Sequence, residues 1–431
     1  MSPATVERKQ GLGGARGRPY PPAASVSGMT EPVDLAGKRV VFLSWRDTRN
    51  PEGGGAERYL EKMAAGLVDR GCEVTIFCAA HEAAPPEEVV GGVRFVRRGT
   101  KLSVYLAGMS ALRRGDLGPA DVVVDVQNGL PFFTRLVTSA PVVVLVHHVH
   151  REQWPVVYPG LTGKVGWWIE HRVAPWLYRD CQYVAVSRAT RTELRDLGVR
   201  GPRVAVVHNG TDPARHVDTR KSSTPRVAVV GRLVPHKQVE HAIDAVLALS
   251  SRFPDLQLHI VGSGWWEGRL HEYAERQGAL GCVVFEGHLD EQRKHELYER
   301  AWVLALPSLK EGWGLVVGEA GMHRTPTVAY RSAGGTRESI DDGVSGILVD
   351  TLEQLTTAIG TLLEEPVRRA ELAAGASEMS HQFTWEHAQQ SFALVVREVL
   401  ADRRVESQDP ELRTCGEERG RPSPSAQALL P

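Results

Sequence analysis

Short apolar runs alternate along this chain with longer stretches whose apolar residues recur every third or fourth position. Runs at Arg39–Trp45, Glu73–Ala79, Val93–Val96, Asp121–Val126, Val142–Val146, Tyr183–Ser187 and Val204–Val207 read as strands. Between the first two, Ala56 to about Arg70 places Leu60, Met63, Ala64 and Leu67 on one helical face. After a polar stretch, Thr211 to Thr224, the pattern restarts at Arg226–Val230. It continues through Leu256–Val261, Val283–Gly287, Trp302–Leu306, Thr327–Tyr330 and Gly346–Val349. Helical spacing fills Gln238–Ser250, Leu352–Leu363, Val367–Ser380 and Trp385–Leu400. Strands alternating with helices at this spacing predict parallel, doubly wound sheets. The break at Thr211–Thr224 divides them into two Rossmann-like domains, 38–215 and 220–383.

The flanks behave differently. Residues 1–37 and 402–431 are rich in Gly, Pro, Ser and charge without periodicity, which predicts disorder, and Met29 is an alternative start. The first segment has no apolar core of the kind a signal peptide carries. The longest apolar strings, such as Val142–Val146, fall far short of the ~18 residues a membrane span needs.

The chain has 431 residues, 42% hydrophobic, enough for two cores. Its net charge of -1 gives no general attraction to nucleic acid. Cys72, Cys78, Cys181, Cys282 and Cys415 are scattered, with no C-x-x-C pair. That argues for a reducing compartment and against a zinc site or disulfide framework, so the expected location is cytoplasmic.

Chemistry concentrates after the strand ending at Leu306, in Pro307-Ser308-Leu309-Lys310-Glu311-Gly312-Trp313-Gly314-Leu315-Val316-Val317-Gly318-Glu319-Ala320. Glu311 and Glu319 bracket a loop and the first turns of a helix. An ionised carboxylate offers acceptors only and suits neighbouring hydroxyls of a sugar or ribose. Gly312 and Gly314 let backbone approach a ligand, and a helix start attracts phosphate. The plainer reading is an acidic residue in an ordinary first turn. Upstream, Gly231-Arg232 with Lys237 puts two cations on a glycine turn, natural partners for a diphosphate or simply a solvated basic loop. Gly53-Gly54-Gly55 and Gly262-Ser263-Gly264 also follow strands. Neither completes a dinucleotide fingerprint, because Arg58 and Glu267 stand where its third glycine would be.

The strand Val142–Val146 ends in His147-His148-Val149-His150, at the crevice side of an open sheet. These histidines allow a metal site, structural roles, or one active-site histidine; no carboxylate or cysteine partner for a metal is evident. Gly163–Tyr178 mixes Trp167, Trp168, Trp176 and Tyr178 with Lys164, His171, Arg172 and Arg179. A mostly buried helix closing the first domain, ended or kinked by Pro175, is the expectation. A peripheral contact with the inner face of a membrane, or with a lipid-linked acceptor, is the rival.

Glu311 to Glu319 resembles the E-x7-E motif of retaining GT-B glycosyltransferases of family 4, the glycosyl transferases group 1. Gly54-Gly55-Ala56-Glu57 resembles the family's GGAE turn, Gly231-Arg232 with Lys237 its GR-x4-K, and Asn209-Gly210 its interdomain motif. Val261–Gly264 and Pro326–Gly335 also fit, in the right order. The resemblance covers about 38–400 and implies two facing Rossmann-like domains, the last helix (385–401) returning to the first. It further implies a nucleotide-sugar donor held by the second domain and a sugar, lipid-linked or small-molecule acceptor at the first. No cofactor or metal is expected, because two cations share the Gly231 turn and the sequence has no D-x-D or convincing ligand cluster. By that resemblance His147, with His148 a close second, is the active-site histidine. Arg232 and Lys237 neutralise the diphosphate, Glu311 contacts the hexose and Glu319 the ribose. The donor would also meet Gly54, Gly55, Gly231, Gly262, His288, Leu289 and the backbone of Gly312, Trp313, Gly314 and Leu315. Two rivals remain: a non-catalytic binding protein on the same scaffold, and a nicotinamide-dependent oxidoreductase, which the incomplete glycine fingerprints oppose.

Overall fold

The structure, a computed structural model, describes residues 33–214 and 220–403. In the first half the elements run β1 (Arg39–Leu43), α1 (Gly55–Val68), β2 (Glu73–Cys78), β3 (Glu87–Val90), β4 (Val93–Arg97), α2 (Val104–Arg114), β5 (Val122–Gln127) and β6 (Val142–Val146). Then come α3 (Trp154–Val157), α4 (Leu161–Trp168), a π-helical turn (Ile169–Val173), α5 (Ala174–Leu177), β7 (Gln182–Ala185), α6 (Arg188–Asp196) and β8 (Val204–Val206). The second half runs β9 (Arg226–Val230), α7 (Val239–Ser250), β10 (Gln257–Val261), α8 (Glu267–Arg276), β11 (Val283–Gly287), α9 (Glu291–Arg300) and β12 (Val303–Leu306). It closes with α10 (Leu315–Met322), β13 (Thr327–Tyr330), α11 (Thr336–Ser339), β14 (Gly346–Val349), α12 (Leu352–Glu364), α13 (Pro366–Gln382) and α14 (Trp385–Leu400).

The sheets have orders β3-β4-β2-β1-β5-β6-β7-β8 and β11-β10-β9-β12-β13-β14. The second is the 3-2-1-4-5-6 arrangement of a dinucleotide fold, whose winding reverses between its first and fourth strands. Its crevice therefore opens where β9 and β12 end, at Gly231-Arg232 and at Pro307–Gly314. The first sheet reverses between β1 and β5 in the same way, so the turn after β1 and the histidines after β6 lie at its carboxyl edge. Val40 pairs with Val74 and with Val122, a fully apolar register that only a sheet covered on both faces tolerates.

Two corrections concern the first domain. The sheet is not wholly parallel: β3 pairs antiparallel with β4. Its side chains Val89 and Val90 are exposed, so no buried periodicity marks it. Residues 33–37, assigned by composition to a disordered tail, are ordered, with Val33 and Leu35 buried in the first core and the Leu35 N–H donating to the Arg70 carbonyl. Two alternating apolar residues are too short a signal to stand out from a Pro/Gly-rich flank. The remainder of both tails, with Met29 and Cys415, lies outside the described residues.

α14 returns to the first domain. Trp385, Phe392 and Val396 enter the core formed by Val40, Phe42, Tyr59 and Met63, and Phe42 stacks on Phe392 at 6.0 Å. Each such buried side chain contributes roughly 1.5–3 kcal/mol. Gly66 makes this approach possible, because a Cβ there would sit 2.4 Å from Gln389. The chain thus crosses between domains twice, side by side: the Thr211 N–H donates to the Phe383 carbonyl at 2.8 Å.

Candidate active site between the domains

One cleft of about 1240 Å³ lies between the two carboxyl edges, and every residue singled out from the sequence for catalysis or donor contact lines it. Gly54 and Gly55 enter from the first domain with His147. From the second come Gly231, Arg232, Lys237, Gly262, His288, Leu289, Glu311, Gly312, Trp313, Gly314, Leu315 and Glu319.

Geometry gives several of these roles that spacing does not reveal. Gly312 is close to protein, not only open to a ligand: a Cβ there would lie 2.4 Å from the His147 carbonyl oxygen. Gly55 similarly faces Leu315, with a built Cβ 2.9 Å from its Cδ1. The glycines therefore let the two domains meet. The Trp313 indole, 4% exposed, packs on His208 and Phe383 beside the crossover. Gly314, at φ +88°, turns the chain into α10, whose first N–H groups have no intrahelical acceptor and point their dipole at the cleft.

Glu311 accepts from Lys237 Nζ at 2.6 Å and from Ser308 Oγ at 2.7 Å. Glu319 accepts from Tyr298 Oη at 3.0 Å, Lys294 Nζ at 3.2 Å and Arg58 at 3.3 Å. Arg58, Lys294 and Tyr298 were not found from sequence; they come from α1 and α9, and nothing local ties them to Glu319. Arg232 is different. It forms no ion pair within the described residues, and its Nε lies 3.4 Å from where a Gly54 Cβ would be. Burial and then repulsion from Arg46 lower its pKa, against the pull of Glu57, Glu52 and Glu311. Arg46, also missed, is 4% exposed and donates to Glu57 at 2.7 Å. Burial pushes the Glu57 carboxyl up, but Arg46 and Arg232 outweigh it and hold the pKa below normal. Glu57 in turn accepts the Gly54 N–H at 2.8 Å, so this cluster shapes the glycine turn.

The three histidines separate cleanly. His150 donates its backbone N–H to Glu170 and sets Nδ1 3.0 Å from the same carboxylate, which also accepts from the Trp154 indole at 2.6 Å. His148 contacts Gln153 at 3.2 Å and lies tilted against His150, the ring centroids 4.2 Å apart. His147 packs edge-on to Tyr59, and its buried Nε2 has no hydrogen-bond partner. Burial lowers its pKa to about 4, so the ring is neutral near pH 7.

The domains are also held by polar contacts of other residues. Glu338 accepts the N–H groups of Arg188 and Ala189 at 2.9 and 2.8 Å, capping α6 across the interface, and contacts His208 at 3.1 Å. Lys310 pairs with Glu193 on the same helix.

Acid should loosen this structure early. Burial lowers both His147 and His323 to about 4, from an ordinary value of about 6.5. The unfolded chain binds these protons more readily, so their stability contribution is full above about 6.5 and is lost as pH falls toward 4. By about pH 5 much of each contribution should be lost. Asp125 and Glu61, whose carboxyls burial pushes up, act in the opposite sense. The melting temperature is expected to fall between about pH 7.5 and 5, and to fall less in His323→Asn. A flat profile would contradict the burial of these rings.

Comparison with known proteins agrees with this architecture. Residues 53–215 match the model of Glycosyltransferase Family 4, and residues 212–379 that of Glycosyl transferases group 1. The D-inositol 3-phosphate glycosyltransferase of Salinispora tropica is 29% identical over 95% of this chain and 92% of its own length. A glycogen synthase of Mycobacterium tuberculosis is 28% identical over 60% of this chain and 70% of its own. Among solved structures, sucrose-phosphate synthase from Thermosynechococcus elongatus superposes with a TM-score of 0.72 at 18% identity, over 85% of this chain and all of that one (100%). Anabaena HepE in complex with UDP and glucose gives 0.65 at 21%, over 84% of this chain and 100% of its own. These two likenesses are of fold.

Proposed function

This chain belongs to the glycosyl transferases group 1, built on the GT-B fold, and we propose that it moves a hexose from a UDP- or GDP-linked donor to an acceptor hydroxyl, with retention and without a metal. The observation that carries this reading is Arg232: a guanidinium free of ion pairs among the described residues, in the crevice beside Lys237 and the start of α10. Such a group waits for an anion, and a diphosphate is the anion that also brings hydroxyls for Glu311 and Glu319. As the bond from anomeric carbon to diphosphate oxygen breaks and the bond to the acceptor oxygen forms, negative charge grows on the leaving group. Arg232, Lys237 and the α10 amides act where that charge develops. The acceptor would lie on the first-domain side, beside His147, whose ring is neutral.

The UDP and glucose bound by Anabaena HepE support this donor class, and the sugar-related names of the other relatives leave the acceptor open. The test is release of nucleoside diphosphate from UDP- and GDP-hexoses in excess EDTA, with the product anomer read by NMR. Turnover with the donor's own anomeric configuration is expected. Binding without turnover would favour the non-catalytic reading; activity lost in EDTA and restored by Mg²⁺ would overturn metal independence.

His147→Gln is expected to lower kcat at least ~100-fold, because small misplacements at a reaction centre carry that cost. His148→Gln should act mainly through stability, having Gln153 as its partner. Comparison of kcat with the melting temperature for both variants decides between them. The reverse pattern would move the active-site role to His148.

A further inference from the structure

The helical stretch from Leu161 to Leu177 is turned inside out relative to ordinary packing. Its inner face is Gly163, Gly166, Glu170 and Ala174, all buried. A Cβ at Gly166 would lie 2.3 Å from the Trp154 ring, and one at Gly163 would lie 2.1 Å from the Tyr158 carbonyl oxygen. The helix therefore sits down on its small residues. Leu161, Val165, Trp168, Arg172 and Trp176 recur at spacings of three or four on the opposite face. Leu161 is 77% exposed, Trp168 56% and Trp176 65%. Val156 and Val157 of α3 are exposed as well. This corrects the expectation of a mostly buried helix. It also relocates the irregularity: Pro175 does not end the helix but is preceded by the π turn, which opens the ladder where the proline would meet the carbonyl four residues back.

Burial cannot be what selects large apolar residues for that face, and contiguous exposed apolar surface marks an interaction site. Charge says with what. Arg151, Lys164 and Arg172 are exposed, whereas the acidic residues of the same stretch are Glu152 and the buried Glu170; Arg179 is paired with the exposed Asp180 at 3.4 Å. Lys164 and Arg172 form no ion pair within the described residues. Tryptophans with leucine on one helical face, together with the unpaired Lys164 and Arg172, are the composition of a helix lying in a membrane interface. Anionic headgroups would complement the cations. No helix among the described residues is long and apolar enough to cross a membrane, so the contact is a surface one.

We propose that the Leu161–Trp176 face docks on an anionic lipid bilayer. Because Glu170 on this stretch holds His150, the docked face is tied to the histidine edge of the cleft, where a lipid-linked acceptor could be presented; that last step alone rests on the transferase reading. The test is sedimentation of the full-length protein with vesicles of phosphatidylglycerol and phosphatidylcholine, against pure phosphatidylcholine. Binding to the anionic vesicles at least tenfold tighter is expected. Trp168→Ser/Trp176→Ser and Lys164→Glu/Arg172→Glu should each weaken it at least tenfold, with melting temperature and donor hydrolysis unchanged. Equal binding by wild type and variants, or no binding, would overturn the proposal. So would a dimer in light scattering that the tryptophan variant disperses, since the face would then serve a second copy. Sedimentation reads no chemistry, so failure here and failure of the transferase reading are distinguishable.

Discussion

Lys237→Ala is expected to lower kcat about 10²–10³-fold, the cost of removing one preorganised donor from a developing oxyanion, or about 2.7–4 kcal/mol. The position of the ammonium sets this cost. It is 2.6 Å from Glu311 and beside the crevice at which β9 and β12 end. A cation there can serve the leaving diphosphate while its partner carboxylate holds it in place. The same contact complicates the substitution, because alanine strands a mostly buried carboxylate with Ser308 as its remaining partner. Residues in contact couple, so the informative comparison is a cycle with Glu311→Gln and the double variant. The cycle should be strongly non-additive in kcat, while the melting shift produced by nucleoside diphosphate changes little. Additive losses would mean that the pair does not act as one unit.

A second large effect is expected from a single methyl group. Gly312→Ala places a Cβ 2.4 Å from the His147 carbonyl oxygen, a contact that rigid backbone on both sides cannot absorb. The obstruction lies between domains, so each should still fold. What the methyl prevents is their approach, and misplacing reacting groups by about 1 Å costs ~100-fold. Turnover should therefore fall at least ~100-fold while nucleoside diphosphate still binds, because Arg232 and Lys237 share the second domain with the α10 amides. Small-angle scattering should show the variant more extended than wild type. An unchanged profile with full activity would remove the closed arrangement from the mechanism.

How much of this was legible beforehand varies with the physics of each element. β6 is a run of five apolar residues buried on both faces, and its bounds are readable from composition. β3 is an edge strand, Glu87–Val90, with little burial to pattern its sequence. α9, Glu291–Arg300, carries few apolar residues, so its period is faint. α4 misleads in the opposite direction: its large apolar residues suggest burial, and only the packing of Gly163 and Gly166 shows that Leu161, Val165 and Trp168 face outward. The glycine turns and the two glutamates of the site were visible because each is a local string. Arg46, Arg58, Lys294 and Glu338 were not, because their roles are set by partners brought together by the fold; Arg58 and Glu319 are 261 residues apart. The double crossing at Thr211 and Phe383 is likewise a property of the pairing and not of either segment.

The central claim is that the second-domain crevice binds a nucleoside diphosphate through Arg232. Calorimetric titration of the full-length protein with UDP, GDP, ADP and TDP, in EDTA, tests it directly. Saturable binding of at least one of them is expected, weakened at least tenfold in Arg232→Ala. Absence of binding by all four, or equal affinity in wild type and Arg232→Ala, would contradict it.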